Sequence, residues 1–300
     1  MVEGIRLQNV ETKARLTFDM LSTPDYILNS VDWGVVESTH HSYKYVNQIG
    51  VYVTGSSLET RKVTIIGWIV ADTELMMSQR KGVLNRFFNP QQAIDLFYKT
   101  YVLRFLPDNS VRYSVTMAEN NEVMCKFQIT GFCPDPLFSE QVENRIVAAS
   151  TQGMFHFPLI IKPQPNPPGG VVFGLRQPSL IVGITNSGSV NVGMKIVFRA
   201  KGSLDSPSLI NVNTQQYFKV NKTMVAGEEI EVNTIIGEKR IVGTVNGISS
   251  NYFKYRDLNS VWLQLAVGDN LFRYDAVENI DNLEVYVYFN NKYLEVQECY

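Results

Sequence analysis

Three carboxylates fall within four residues at Glu228, Glu229 and Glu231. A pair of carboxylates facing each other across a sugar can cleave a glycosidic bond, one acting as acid and the other as base or nucleophile. Here Glu229 and Glu231 alternate with Ile230 and Val232, so both acids belong to one face of a strand. A solvated strand face accounts for that spacing without catalysis. The histidines are His40, His41 and His156. Adjacent strand residues point to opposite faces, so His40 and His41 cannot converge on one proton, and a surface role fits them better. His156 lies between Phe155 and Phe157 and reads as a packed strand residue. Asp269 and Asn270 offer two oxygen donors, far from the roughly six to eight that calcium takes. No glycine-rich loop follows a strand and opens a helix, so nucleotide binding has no support. Cys125, Cys133 and Cys299 form no CxxC, which suits a reducing compartment without a zinc site or a disulfide framework. The sequence therefore identifies no catalytic, cofactor-binding or metal-binding residue.

These side chains ride on a chain that is mainly β. It has 300 residues, 45% of them hydrophobic, with 27 basic and 29 acidic residues and a formal net charge of -2. That is enough apolar material for two cores, and the charge balance argues against a protein that grips nucleic acid through phosphates. No apolar run is long enough to cross a bilayer, and the first residues lack the apolar core of a signal peptide.

In the first half, Gly4–Leu7, Ala14–Met20 and Val31–Val36 are short apolar pieces, with a break at Thr23-Pro24. Tyr43 to Thr54 reads as a long hairpin that bends at Asn47–Gly50. Tyr43, Tyr45, Val51 and Tyr52 find few partners in their own domain and are the candidates for contact with another subunit, together with the outer face of the following helix. Arg61–Val70 is rich in β-branched residues, and Gly67 within it predicts a bulge or a close backbone approach. Asp72 and Thr73 are N-cap residues for a helix over 74–88, which Asn89-Pro90 ends. Strands follow at Ala93–Lys99, Tyr101–Leu106, Ser110–Met117 and Glu122–Thr130. Cys133-Pro134-Asp135-Pro136 then stops the sheet, because each proline removes a backbone donor. This places a domain boundary near Phe138, giving domains 1–138 and 139–300. The strand Phe155–Ile161 and the loop 162–170 (KPQPNPPGG) fall in the second.

The second domain reads as an antiparallel β-sandwich. Strands are expected at Ser179–Asn186, Asn191–Ala200, Gln216–Val220, Glu228–Thr234, Lys239–Val242, Val261–Ala266, Leu271–Asp275 and Asn282–Asn290. Turn signals stand at Ser187-Gly188, Ala226-Gly227 and Asn246-Gly247. Val261–Ala266 and Leu271–Asp275 read as a hairpin around Gly268-Asp269-Asn270, with Trp262 as a core anchor.

In their order and spacing these signals resemble the distal tail proteins of long-tailed, non-contractile bacteriophages. The resemblance is most specific at Asn186-Ser187-Gly188, Pro207 with Asn211, Ala226 to Thr234, Asn251, Ser260 to Leu265, and Gly268-Asp269-Asn270 with Tyr274. Gly50, Arg61 to Gly67, the helix, Asn89-Pro90 and Tyr101–Leu106 agree more loosely. The resemblance implies a structural protein without enzymatic activity or cofactor, sited at the tail tip of the virion and assembled in the host cytoplasm. It implies an N-terminal domain that builds a ring, a hexamer, through a projecting hairpin, and a galectin-like β-sandwich C-terminal domain. The implied partners are further copies of the chain, the tail tube protein, a tail-associated lysin or fibre, and receptor-binding proteins. The genome would pass through the opening without specific nucleic-acid binding. A carbohydrate-binding module, using exposed Tyr and Trp to stack sugars, is the alternative; a β-sandwich glycosidase using Glu229 or Glu231 is a third reading.

Overall fold

Alternation of apolar and polar residues builds the first sheet. In Arg61–Val70, Val63, Ile65 and Ile69 are buried while Lys62, Thr64, Ile66 and Trp68 face the other side. Its partner Met124–Cys133 does the same with Cys125, Phe127, Ile129 and Cys133. The computed structural model describes residues 4–19, 25–149, 151–153, 174–176 and 181–296. The chain divides into two compact units, Met1–Val142 with Tyr293–Tyr300, and Glu143–Lys292.

The central path of the first unit's antiparallel sheet runs Arg15–Phe18, Ile5–Asn9, Ile94–Tyr98, Tyr101–Pro107, Met124–Cys133, Arg61–Val70, Tyr26–Asp32. Gly67 performs both roles expected of it. A Cβ there would lie 2.7 Å from the Ile27 carbonyl oxygen and 2.6 Å from the Phe127 ring, and the facing strand shifts register between Leu28 and Ser30. The helix Glu74–Phe87 covers the sheet with Met77, Leu84 and Phe87. Thr73 caps it, its hydroxyl accepting from the Met76 N–H at 3.3 Å. The chain returns to this unit at Tyr293, whose hydroxyl donates to Glu140 at 2.8 Å and whose ring meets Tyr101 edge-on at 5.4 Å.

The second unit holds two larger antiparallel sheets around one core, beside shorter two-stranded pairs. One runs Asn144–Ala149, Leu283–Phe289, Lys195–Ala200, Glu229–Asn233, Arg240–Val245, Ile248–Asn251; the other runs Ile181–Asn186, Gly268–Asp275, Ser208–Asn211, Tyr217–Lys219. Phe198, Ile230, Val232, Val285 and Val287 from the first sheet are buried with Ile184, Leu209, Phe218, Phe272 and Tyr274 from the second.

Several expectations need correction. Gln264–Leu265 pairs with Val192–Gly193, and Gly268–Asp275 pairs with Ile181–Asn186 and Ser208–Asn211, so the two segments are not a hairpin with each other. Gly268-Asp269-Asn270 is inside a strand. The reversal lies just before it, where Gly268 takes φ +88° and the buried Asn270 amide bonds the Ala266 N–H and C=O and the Gly268 C=O. An asparagine side chain thus replaces the missing strand partner. Trp262 is half-buried, at 5.1 Å from Phe218, rather than a fully enclosed anchor. The strand expected at Ser110–Met117 shrinks to Arg112–Tyr113, because Ser114, Glu119 and Asn120 bond one another and the backbone in a loop. Thr23-Pro24, His156, Phe155–Ile161, 162–170 and Cys299 lie outside the described residues.

Candidate assembly surface

A two-stranded hairpin stands apart from the first unit's sheet. Ser38–Tyr43 pairs with Tyr52–Leu58 and, among the described residues, with no other strand, and every residue of both strands is exposed. Its connecting loop closes through Gln48: the Gln48 N–H donates to the Tyr45 carbonyl, and the Gln48 side chain accepts from the Tyr45 N–H. Asn47 and Gly50 supply the positive φ values, 66° and 82°, that turn the chain. The four predicted contact residues all fall in or beside this tip. Tyr43 opposes Tyr52 across the strands, their rings 5.2 Å apart, and Tyr45 packs edge-on against Tyr43 at 5.0 Å. The Tyr43–Tyr45 hydrogen bond holds the Tyr43 hydroxyl above its ordinary pKa. Val51 is exposed beside them, and Val46 at the tip is 92% exposed. The helix adds Leu75 and Val83 to the exposed apolar surface.

The root of the hairpin is fixed as firmly as its tip is bare. Gly34 takes φ +61°, and a Cβ there would collide with the Lys62 carbonyl, so only glycine fits. The Asp32 carboxylate accepts from the Gly34 N–H at 2.9 Å. Arg61, 1% exposed, donates to the carbonyls of Trp33 (3.2 Å), Gly34 (3.0 Å), Pro136 (2.7 Å) and Leu294. Its guanidinium lies 4.7 Å from the Phe138 ring, and burial pushes its pKa down. The same burial pushes the neighbouring Cys133 thiol up to about 12. Beside Arg61 opens a cavity of ≈ 750 Å³ walled by Trp33, Val35, Tyr98 and Phe138, with Asp32 and Glu295 among its lining groups. Arg61 was not singled out from the sequence, although the signal was there: it occupies the same strand phase as Val63 and Ile65, where a surface charge does not belong.

The residues that could do chemistry are held in structural roles. Glu228 is 0% exposed, pairs with Lys222 at 2.7 Å and accepts from the Val225 N–H at 3.0 Å. Glu229 pairs with Arg199, and Glu231 with Arg240 at 2.9 Å. His40 lies 3.3 Å from the Ser38 hydroxyl on the exposed hairpin. Asp269 accepts from Thr185 at 2.7 Å. Among the described residues no three His, Cys, Asp or Glu side chains gather as a metal site. No described helix is long and apolar enough to cross a membrane.

The chain thus has two β-rich units, one of them carrying a hairpin whose apolar tip is exposed among the described residues. Residues 187–293 match the family model of the siphovirus-type tail component, C-terminal domain. The fold agrees along almost the whole length. The chain is similar to SPP1 Dit (gp 19.1), described as a paradigm of the hub adsorption apparatus in Gram-positive infecting phages, at 13% identity and a TM-score of 0.67, covering 96% of this chain and 98% of that one. It is also similar to a chain of the phage P2 baseplate in its activated conformation with Ca, at 11% identity and a TM-score of 0.51 over 99% and 100% of the two chains. The strontium form of that baseplate gives 10% identity and a TM-score of 0.53 over the same shares. No protein of curated function matches the sequence.

Proposed function

We propose that this phage tail component is the hub subunit of the tail tip. Copies close into a ring, a hexamer, built by the first unit through the hairpin Ser38–Leu58. The ring joins the tail tube protein to a tail-associated lysin or fibre, and the galectin-like second unit offers docking surface for receptor-binding proteins. DNA passes through the opening, where a net charge of -2 gives it nothing to adhere to. Assembly takes place in the host cytoplasm, and no bond is made or broken by the chain. The observation that carries this reading is the exposed aromatic tip on a hairpin that pairs with no third strand among the described residues. A ring formed by rotation uses heterologous contacts, one face of a subunit on a different face of the next, which suits an arm that reaches outward. Light scattering with negative-stain images tests it: closed particles with a central opening are expected, and a monomer at every concentration contradicts it.

A second reading is favoured by one feature. Phe253 is exposed, lies 6.0 Å from the half-buried Trp262, and has Lys239 beside that indole at 5.7 Å. Such a platform suits sugar stacking during attachment to the cell wall. A glycan array with the full chain, compared with Phe253→Ala, decides it.

A further inference from the structure

We infer that the cavity at the root of the hairpin is the socket for the tip of the next copy's hairpin. This rests on the reading of the hairpin as an intersubunit arm, and it names the surface that receives it. Three observations point the same way. The first is chemistry: the tip presents Tyr43, Tyr45, Val46, Ile49, Val51 and Tyr52, all exposed. The cavity is walled by Trp33, Val35, Tyr98 and Phe138, an aromatic and aliphatic surface of the kind that takes aromatic anchors. Trp33 is already wedged between Tyr98 at 5.1 Å and Phe138 at 5.5 Å, so the wall is preformed.

The second is charge. Between Ser38 and Leu58 the one fully charged residue is Lys44, set among the tip tyrosines. The cavity offers two exposed carboxylates, Asp32 and Glu295. The one cation in its lining, Arg61, is buried and spends its donors on the carbonyls of Trp33, Gly34, Pro136 and Leu294. It is therefore turned to its own backbone, and a lysine arriving from outside meets net negative charge.

The third is geometry. Tip and socket lie at the two ends of one hairpin, whose root is fixed by Gly34, Asp32 and Arg61. A tip that fills the socket of the next copy leaves its own socket open to the copy behind. The contact is heterologous, and repetition closes a ring or propagates a chain.

Cysteine cross-linking tests the assignment. In a background with Cys299→Ser, Tyr45→Cys is combined with Val35→Cys; both native side chains are exposed, and Cys125 and Cys133 are buried. Mild oxidation is expected to join copies covalently in the double variant. It is not expected to do so in Tyr45→Cys with Val277→Cys, which places the second thiol on an exposed site of the other unit. In parallel, Lys44→Glu is expected to abolish the oligomer, and adding Glu295→Lys to restore it. An oligomer that needs residues 43–54, yet gives no Tyr45–Val35 cross-link and no charge rescue, overturns the socket and leaves the hub reading standing. An oligomer indifferent to the loss of 43–54, or a chain that is always monomeric, overturns both.

Discussion

Two hairpins of this chain share their pairing and differ in everything that stabilises it. Arg240–Val245 and Ile248–Asn251 are joined by Asn246-Gly247, with φ of 50° and 79°, a two-residue turn whose twist suits paired strands. The first strand also bonds Glu229–Asn233, so the hairpin is the end of a six-stranded sheet. Ile241 is buried in the second unit's core, and the Tyr252 ring lies directly over Gly243. Among the described residues the hairpin Ser38–Leu58 has no third strand, and none of its own residues is buried. An isolated hairpin is marginal in water. One hairpin is thus stabilised by its own chain, while the other leaves its apolar tip exposed among the described residues.

Substitutions sharpen this contrast. The largest effect is expected at Ile241→Ala, which opens a void in a closed core and costs about 2–5 kcal/mol in urea unfolding. Gly247→Ala forces an L-residue to positive φ at the same hairpin and costs about 1–2 kcal/mol by the same measurement. Alkaline pH tests the buried Tyr26. Burial, with Asp25 beside it, raises the Tyr26 hydroxyl to about 12, and it donates to the Arg80 carbonyl at 3.0 Å. A raised folded pKa means its contribution is complete below about pH 10, its unfolded value, and is lost as pH rises toward 12. Urea midpoints followed over that range should fall less steeply in Tyr26→Phe than in the unsubstituted chain. The smallest effect is at the arm itself: Tyr43→Ser with Tyr52→Ser should change the unfolding of the isolated chain by no more than about 0.5 kcal/mol. A loss well above that value would mean that the tip packs on its own subunit.

The sequence made legible whatever rests on local pattern. The strands Arg61–Val70 and Met124–Cys133 announce their faces by alternation, and Thr73 and Asn89-Pro90 bracket the helix. The bare hairpin was readable because tyrosines and valines clustered around Asn47–Gly50 with nothing nearby to cover them. What depends on distant partners was not readable. Gly268-Asp269-Asn270 has turn composition, yet the pairing of the strands around it is decided by Val192–Gly193 and Ile181–Asn186, some eighty residues earlier. Arg61 likewise gains its role from carbonyls at Trp33, Pro136 and Leu294. The return of the chain to the first unit at Tyr293 carries no proline or glycine signal; it is secured by Tyr101 and Glu140.

On this reading the hairpin holds copies together and does nothing for its own fold. Deleting residues 43–54 and measuring the mass in solution by light scattering tests it directly. A folded monomer is expected after the deletion, where the intact chain forms a closed oligomer. An oligomer of unchanged mass after the deletion would contradict it.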